Sequence, residues 1–482
     1  MPKVGFISLG CPKNLVDSEV MMGLLGERGH AITARAEEAE VLVVNTCAFI
    51  ESAQQESVDA ILELAELKRS GRARRLVVAG CLVERFREQI RAEIPEVDAL
   101  VGTNELPQIV AAVTGEAPPA PPACSRPVTA GAALPVLPAS FPGVKPQPVS
   151  APLPPDGPGY LYNEHTPRLV STARHTAYLK IAEGCDHPCS FCVIPQYRGH
   201  FRSRRPESVE AEARLLAANG VRELVLVGQD TTSYGGDLGL RHGLAQLLAR
   251  LAGIEALAWI RTLYFYPNRV TAPLLDTLAA HPRLCRYVDM PLQHASGAVL
   301  ARMRRGGSGE HFLRLLERIR RALPGAALRS TLITGFPGET EAEFQELLDF
   351  VAAAELDWLG VFAYSDEATS RAHALENKVP AEVAAARRDT VMKLQRKISR
   401  RRRRALLGAR AMVLVEGPAE ESALLWQGRL EGQAPGIDGK VLINDFGLRP
   451  DGSPAPPPAT GSFVTAEITA AHDYDVVARL VT

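Results

Sequence analysis

Short apolar runs alternate with amphipathic stretches over the first 115 residues. Val4–Leu9, Val41–Asn45 and Leu76–Ala79 read as strands, and Asp17–Gly29 and Ser52–Arg69 as helices. This alternation predicts a parallel sheet with right-handed crossovers. It returns from about Thr166 to Leu375, with candidate strands at Ala177–Ala182, Glu223–Val227, Trp259–Leu263, Tyr287–Met290, Leu328–Ile333 and Leu359–Ala363. Helical patterns such as Pro206–Asn219 and Glu339–Ala354 separate most of them, which predicts a partial (β/α)6, TIM-like barrel. Residues 381–408 read as one long basic helix. Beyond Gly408 the runs Met412–Glu416, Lys440–Ile443, Phe463–Ile468 and Tyr474–Ala478, punctuated by Gly and Pro, predict a small antiparallel β-barrel. The expected fold class is therefore α/β: an N-terminal parallel-sheet domain (1–115), the central barrel with its basic connecting helix (165–408) and the C-terminal barrel (409–482). The intervening 116–164 is rich in Pro, Ala and Gly and reads as an extended, partly disordered linker. Cys124, within it, is assigned no role.

The totals change this picture little. A chain of 482 residues with 46% hydrophobic and 23% charged residues is an ordinary globular composition, and a net charge of −1 selects no partner. No apolar stretch is long enough to span a membrane. Leu9-Gly10-Cys11 resembles a lipoprotein cleavage site, but the apolar run before it is too short for a signal-peptide core, so a cytoplasmic protein is expected. In such a chain the eight cysteines point to metal binding or catalysis before disulfides.

Cys185, Cys189 and Cys192 stand in the spacing C-x3-C-x2-C, directly after the first barrel strand. Three thiolates this close can ligate three irons of one cubane, leaving the fourth iron open. The alternative is a structural zinc, which needs a fourth ligand. His187 could supply it, though from a cramped position between two of the cysteines. Cys11, Cys47 and Cys81 each follow a predicted strand, and neighbouring parallel strands end side by side where ligands bind. Any one of them alone would read as a buried thiol. Three in the same slot imply a second three-cysteine cluster. Cys285 reads as a core thiol.

The C-x3-C-x2-C motif with Phe191 beside its last cysteine resembles the radical S-adenosylmethionine superfamily. Two cysteine triads in this order, followed by a small β-barrel, resemble its methylthiotransferase family, in which that barrel is called a TRAM domain. The resemblance covers nearly the whole chain outside the linker. It implies two [4Fe–4S] clusters: a radical cluster on Cys185, Cys189 and Cys192, the catalytic triad, and an auxiliary cluster on Cys11, Cys47 and Cys81. It also implies the chemistry. One S-adenosylmethionine methylates a sulfur on the auxiliary cluster, and a second is cleaved reductively to a deoxyadenosyl radical that abstracts a substrate hydrogen. Phe191 lies beside the cluster motif, and Gly228, Gln229, Gln293 and Arg329 fall where the family contacts S-adenosylmethionine, each being either a cofactor contact or scaffold. Gly335-Phe336-Pro337-Gly338-Glu339-Thr340 is either a cofactor-binding turn or a helix cap, and His294 either a substrate contact or a satisfied rim histidine.

The family modifies either transfer RNA adenosine or an aspartate of small-subunit ribosomal protein S-twelve. Gly10-Cys11-Pro12-Lys13-Asn14, Tyr266-Pro267 and Pro291-Leu292-Gln293-His294 resemble the ribosomal-protein branch, while Tyr364-Ser365-Asp366-Glu367-Ala368-Thr369 matches it only in part. Residues 411–482 carry ten acidic and four basic side chains, a balance that suits a basic protein better than RNA. The basic run Arg400–Arg404 argues the other way unless acidic neighbours or solvent absorb it. The expected partners are protein S-twelve, free or within the ribosome, a flavodoxin- or ferredoxin-type electron donor and a sulfur donor, with no membrane. The competing readings are a transfer RNA methylthiotransferase and a non-enzymatic iron–sulfur redox sensor.

Overall fold

The computed structural model describes residues 1–116, 159–447, 453 and 455–481. The predicted linker 116–164, with Cys124, lies almost wholly outside the described residues. The chain divides into two compact units. The first comprises Met1–Ser171, Ala182–Arg204 and Ser365–Ala374; the second comprises Thr172–Ile181, Arg205–Tyr364 and Leu375–Thr482. Both cysteine triads belong to the first.

The first unit is built on a five-stranded parallel sheet of β1 (Val4–Ser8), β2 (Ile32–Thr33), β3 (Val41–Thr46), β4 (Arg75–Gly80) and β5 (Ala99–Val101), in the order β2-β1-β3-β4-β5. β3 is buried at every position, as expected of a parallel strand covered on both faces. The edge strands β2 and β5 are two and three residues long, too short to imprint a pattern on the sequence. Helices α1 (Pro12–Glu27), α2 (Glu51–Arg69) and α3 (Cys81–Glu93) follow β1, β3 and β4. Pro12 opens α1, where its fixed φ is already helical and no N–H is lost.

In the second unit six parallel strands follow one another: Thr176–Lys180, Glu223–Val227, Trp259–Thr262, Tyr287–Asp289, Ala327–Thr334 and Trp358–Ala363. They pair as two three-stranded sheets, which a parallel bridge between Ile260 and Leu284 joins into an open barrel. The C-terminal strands Arg410–Ala419, Ser422–Leu430, Val441–Asp445, Phe463–Ala471 and Val476–Leu480 close into a barrel around Val413, Val415, Val441, Ile443, Ala466, Ile468, Val476 and Ala478. It is not purely antiparallel as expected: Val441–Asp445 pairs in parallel with Val476–Leu480. A closed ring of five strands cannot alternate direction all the way round, so at least one pair must run parallel.

This small barrel plugs the starting ends of the large one. Trp259 and Tyr287, each the first residue of its strand, share a buried cluster with Cys285, Leu414 and Ala434, and Phe463 meets the Trp259 ring edge-on at 4.9 Å. Burial pushes the Cys285 thiol up to about 12, consistent with a packing role. Polar contacts cross the same plane. Trp358 donates its indole N–H to Gly432 O at 2.7 Å. Glu223, fully buried, is held between Arg261 at 3.0 Å and Arg429.

The basic helix runs Ala381–Arg404, and its arginine run is largely absorbed locally. Arg400 pairs with Asp473, Arg401 with Glu355, and Arg402 and Arg403 with Asp357. Some acidic side chains of the C-terminal barrel are paired too. Glu416, Glu421 and Glu467 pair with Arg429, Lys440 and Arg479, and Asp438 is buried against Tyr287 and Arg329. These three glutamate pairs use basic side chains already counted in the ten-to-four balance of residues 411–482, so that acidic excess stands, while the pairing of Arg400 to Arg403 weakens the basic helix as an RNA contact. Among the described residues no helix is long and apolar enough to cross a membrane.

Candidate cluster sites

Strand register brings the N-terminal triad together. Ser8 is aligned with Asn45 and Asn45 with Ala79, so Cys11, Cys47 and Cys81 lie three, two and two residues beyond aligned positions on adjacent strands. Hydrogen-bonded strands run about 4.8 Å apart, which confines the three turns to one small region. Glycines make the close approach possible. Gly10 has φ +88°, and a Cβ there would stand 2.7 Å from Cys47 Cβ and 3.0 Å from its Sγ. Gly80 has φ +96°, and a Cβ would fall 2.3 Å from Asn45 Oδ1. L side chains rarely adopt such φ values.

Hydrogen bonds fix each turn. Asn14 donates to Leu9 O and Thr46 O, and Asn45 donates to Asn14 O and Ser18 Oγ. Cys47 N–H donates to Ser57 Oγ, which donates back to Cys47 O, both at 2.9 Å. Burial pushes the Cys81 thiol up to about 12 and also raises Cys47, with the neighbouring thiolates adding repulsion. Burial opposes ionisation of Cys11 too, but Lys13 and Arg198 outweigh it and lower its pKa.

Arg198 is the element that inspection of the motifs missed. It ends the short helix Ile194–Arg198, six residues past Cys192, and is 2% exposed. Its guanidinium donates to Asp17 at 2.8 Å, Glu183 at 3.0 Å, Asn14 Oδ1 at 3.1 Å and Cys81 Sγ at 3.5 Å.

The second triad lies on an irregular loop, with all three cysteines half-buried. Gly184, at φ +80°, lets the backbone pass His200 O, which a Cβ would meet at 2.0 Å. Cys185 N–H donates to Gly199 O and Cys192 N–H to Cys189 O. Asp186 pairs with His200 Nδ1 at 2.8 Å. The segment Ser365–Ala374 binds this loop to α3: Ala372 N–H donates to Ser190 O, Gln196 donates to Thr369 O, and buried Glu367 accepts from Arg85 and Gln54. Among the described residues no three His, Cys, Asp or Glu side chains stand close enough to share one metal ion. A cubane asks less, because each thiolate binds a different iron. The paired glycines, aligned strand ends and N–H donor at Cys81 fit such a group.

In the second unit Gly228 and Gln229 follow the strand Glu223–Val227, and Asp230 caps the next turn by accepting from Thr232 N and Ser233 N. Gln293 holds φ +76°, a conformation that costs a non-glycine residue about 1–3 kcal/mol and clusters at functional sites. Its backbone is fixed to Thr331 O and Ile333 N. Arg329 lies elsewhere. It is the third residue of an eight-residue strand, and its guanidinium is engaged by Asp289 at 2.8 Å and Asp438 at 3.6 Å on the plugged side. The turn Gly335–Thr340 resolves as a cap. Glu339 accepts from Gly335 N and Phe336 N, and Thr340 forms a capping box with Glu343. His294 is fully buried, accepts from Ser296 N and stands 3.5 Å from Glu339, a core position.

Such a loop and barrel define a radical S-adenosylmethionine protein, and residues 179–351 match the Radical SAM superfamily. Residues 3–102 match the Uncharacterized protein family UPF0004 and residues 407–481 the TRAM domain. The fold resembles that of the radical S-adenosylmethionine methyltransferase TsrM from Kitasatospora setae, with TM-score 0.51, 16% identity and 75% of this chain and 72% of that one covered. Two relatives are each named "Ribosomal protein uS12 methylthiotransferase RimO". That of Koribacter versatilis is 53% identical over 99% of this chain and 96% of its own, and that of Solibacter usitatus is 56% identical over 99% and 94%. The chain belongs to the RimO family of methylthiotransferases.

Proposed function

We propose that this chain adds a methylthio group to the β-carbon of an aspartate in ribosomal protein uS12, acting in the cytoplasm with an external sulfur donor and a flavodoxin- or ferredoxin-type reductant. The observation that carries this reading is full-length identity above 50% to proteins of that name, with both cysteine triads in place. Bound to the two triads, [4Fe–4S] clusters and S-adenosylmethionine would supply reductive sulfonium cleavage and a sulfur to be methylated. Cys185, Cys189 and Cys192 would hold the cluster that cleaves, with Phe191 beside it. Cys11, Cys47 and Cys81 would hold the cluster that presents sulfur. Gly228, Gln229 and Gln293, at barrel-strand ends, would orient the cofactor's methionine moiety. Cys185, Cys189 and Cys192 are half-buried and accessible to a small molecule, and in the other triad Cys47 and Cys81 are buried while Cys11 is half-buried.

The test is iron and acid-labile sulfide per chain after anaerobic reconstitution, beside a variant with Cys185, Cys189 and Cys192 changed to Ala. About eight irons in the parent and about four in the variant follow from one cubane per triad; about four and none would overturn the reading. In the same preparations Cys189→Ala should abolish 5′-deoxyadenosine formation. Cys47→Ala should keep that cleavage and lose the methylthio mass gain on a uS12 substrate; a retained mass gain would remove the auxiliary role.

A further inference from the structure

Arg198 is carried on the loop of one triad and spends its charge on the other. Its guanidinium donates to Cys81 Sγ at 3.5 Å, and its charge acts on Cys11 and Cys47 as well. Two buried carboxylates, Asp17 and Glu183, share the same guanidinium. Both are under 6% exposed at the side chain, so solvent screens this arrangement little. Hydrogen bonds to ligand sulfur and nearby charge are the levers that set an iron–sulfur potential.

We infer that Arg198 is a positioning residue that raises the reduction potential of the cluster held by Cys11, Cys47 and Cys81, with Asp17 and Glu183 moderating its effect. The inference rests on the two-cluster reading above. One-electron reduction adds a negative charge to the cluster; a guanidinium donating to a ligand sulfur stabilises that state, and each carboxylate beside the guanidinium offsets part of the gain. Arg198 thereby ties the fold of the Cys185–Cys192 loop to the electronics of the other site.

The test isolates one cluster by working in the full chain with Cys185, Cys189 and Cys192 changed to Ala, reconstituted anaerobically and titrated with dithionite while the reduced cluster is followed by electron paramagnetic resonance. Arg198→Gln should shift the midpoint potential downward, and Arg198→Lys should shift it less. Glu183→Gln, which leaves Arg198 in place and removes one offsetting charge, should shift it upward. Opposite shifts at about four irons per chain support the inference. Unchanged potentials in both variants, or shifts of the same sign, overturn it. Should Arg198→Gln not fold, the sign of the Glu183→Gln shift decides alone. Absence of iron in the parent background would instead remove the two-cluster reading.

Discussion

Glu223→Gln removes the negative member of a buried ion triad and should weaken the second unit selectively. Burial alone would raise the Glu223 pKa, but Arg429 and Arg261 overcome it and hold the carboxyl at about 2 against the usual 4.5. At 1.36 kcal/mol per pH unit that gap corresponds to about 3 kcal/mol of stabilisation at neutral pH. The variant also leaves the Arg261 guanidinium, 0% exposed, without a carboxylate partner, while Arg429 keeps Glu416, and breaking buried pairs this way costs about 3–5 kcal/mol. The assay is built in. The three tryptophans, Trp259, Trp358 and Trp426, all lie in the second unit, so their fluorescence during urea unfolding reports that unit and not the first. With a slope of about 3 kcal/mol per molar urea, the midpoint should fall by about 1 M. The pH dependence has a fixed sign. A depressed carboxylate stabilises fully above its unfolded pKa and loses this as pH falls through its folded one. The gap between parent and variant should be flat from pH 6 to 8 and shrink between about 4.5 and 2. A midpoint shift below about 0.3 M at pH 7 would correspond to less than about 1 kcal/mol and would refute the argument that the triad is stabilising.

Three further changes separate other contributions. Gly10→Ala forces a Cβ to 2.7 Å from Cys47 Cβ at φ +88°; reconstituted protein should lose about four irons yet still form 5′-deoxyadenosine from the intact second triad. Thr340→Ala removes the capping box of the helix Glu341–Ala354 and should lower stability by about 1 kcal/mol, read by the same tryptophan fluorescence. Glu367→Gln leaves Arg85, 4% exposed at its side chain, without its charge partner. Amide hydrogen exchange in α3 should accelerate while tryptophan fluorescence on urea unfolding stays unchanged, since the first unit holds no tryptophan.

The six central strands could be read because parallel strands are buried on both faces and leave uninterrupted apolar runs such as Leu224–Val227. Ser422–Leu430 could not. It carries Leu424 at 83% exposure on a nine-residue strand after a charged turn, so neither alternation nor a solid run marks it. The cysteines were legible because three strand ends repeat one slot. Arg198 was not, since its partners Asn14, Asp17 and Cys81 lie over a hundred residues away and nothing local distinguishes it from a surface arginine. For Arg329, position on a barrel strand does not say which end a long side chain serves; its pairing with Asp438, a residue of the C-terminal barrel, could not be read from the strand.

The composition of the first unit has a consequence for the order of its making. Arg85 and Glu367 are 282 residues apart in the chain, and synthesis proceeds at about 5–20 residues per second. Arg85 and the three N-terminal cysteines therefore leave the ribosome about 15–60 s before the carboxylate that fastens α3 exists. During translation the N-terminal sheet must stand without its last strap. The strap from the Cys185–Cys192 loop to α3 forms only when the strand Trp358–Ala363 has been made and the following ten residues have turned back.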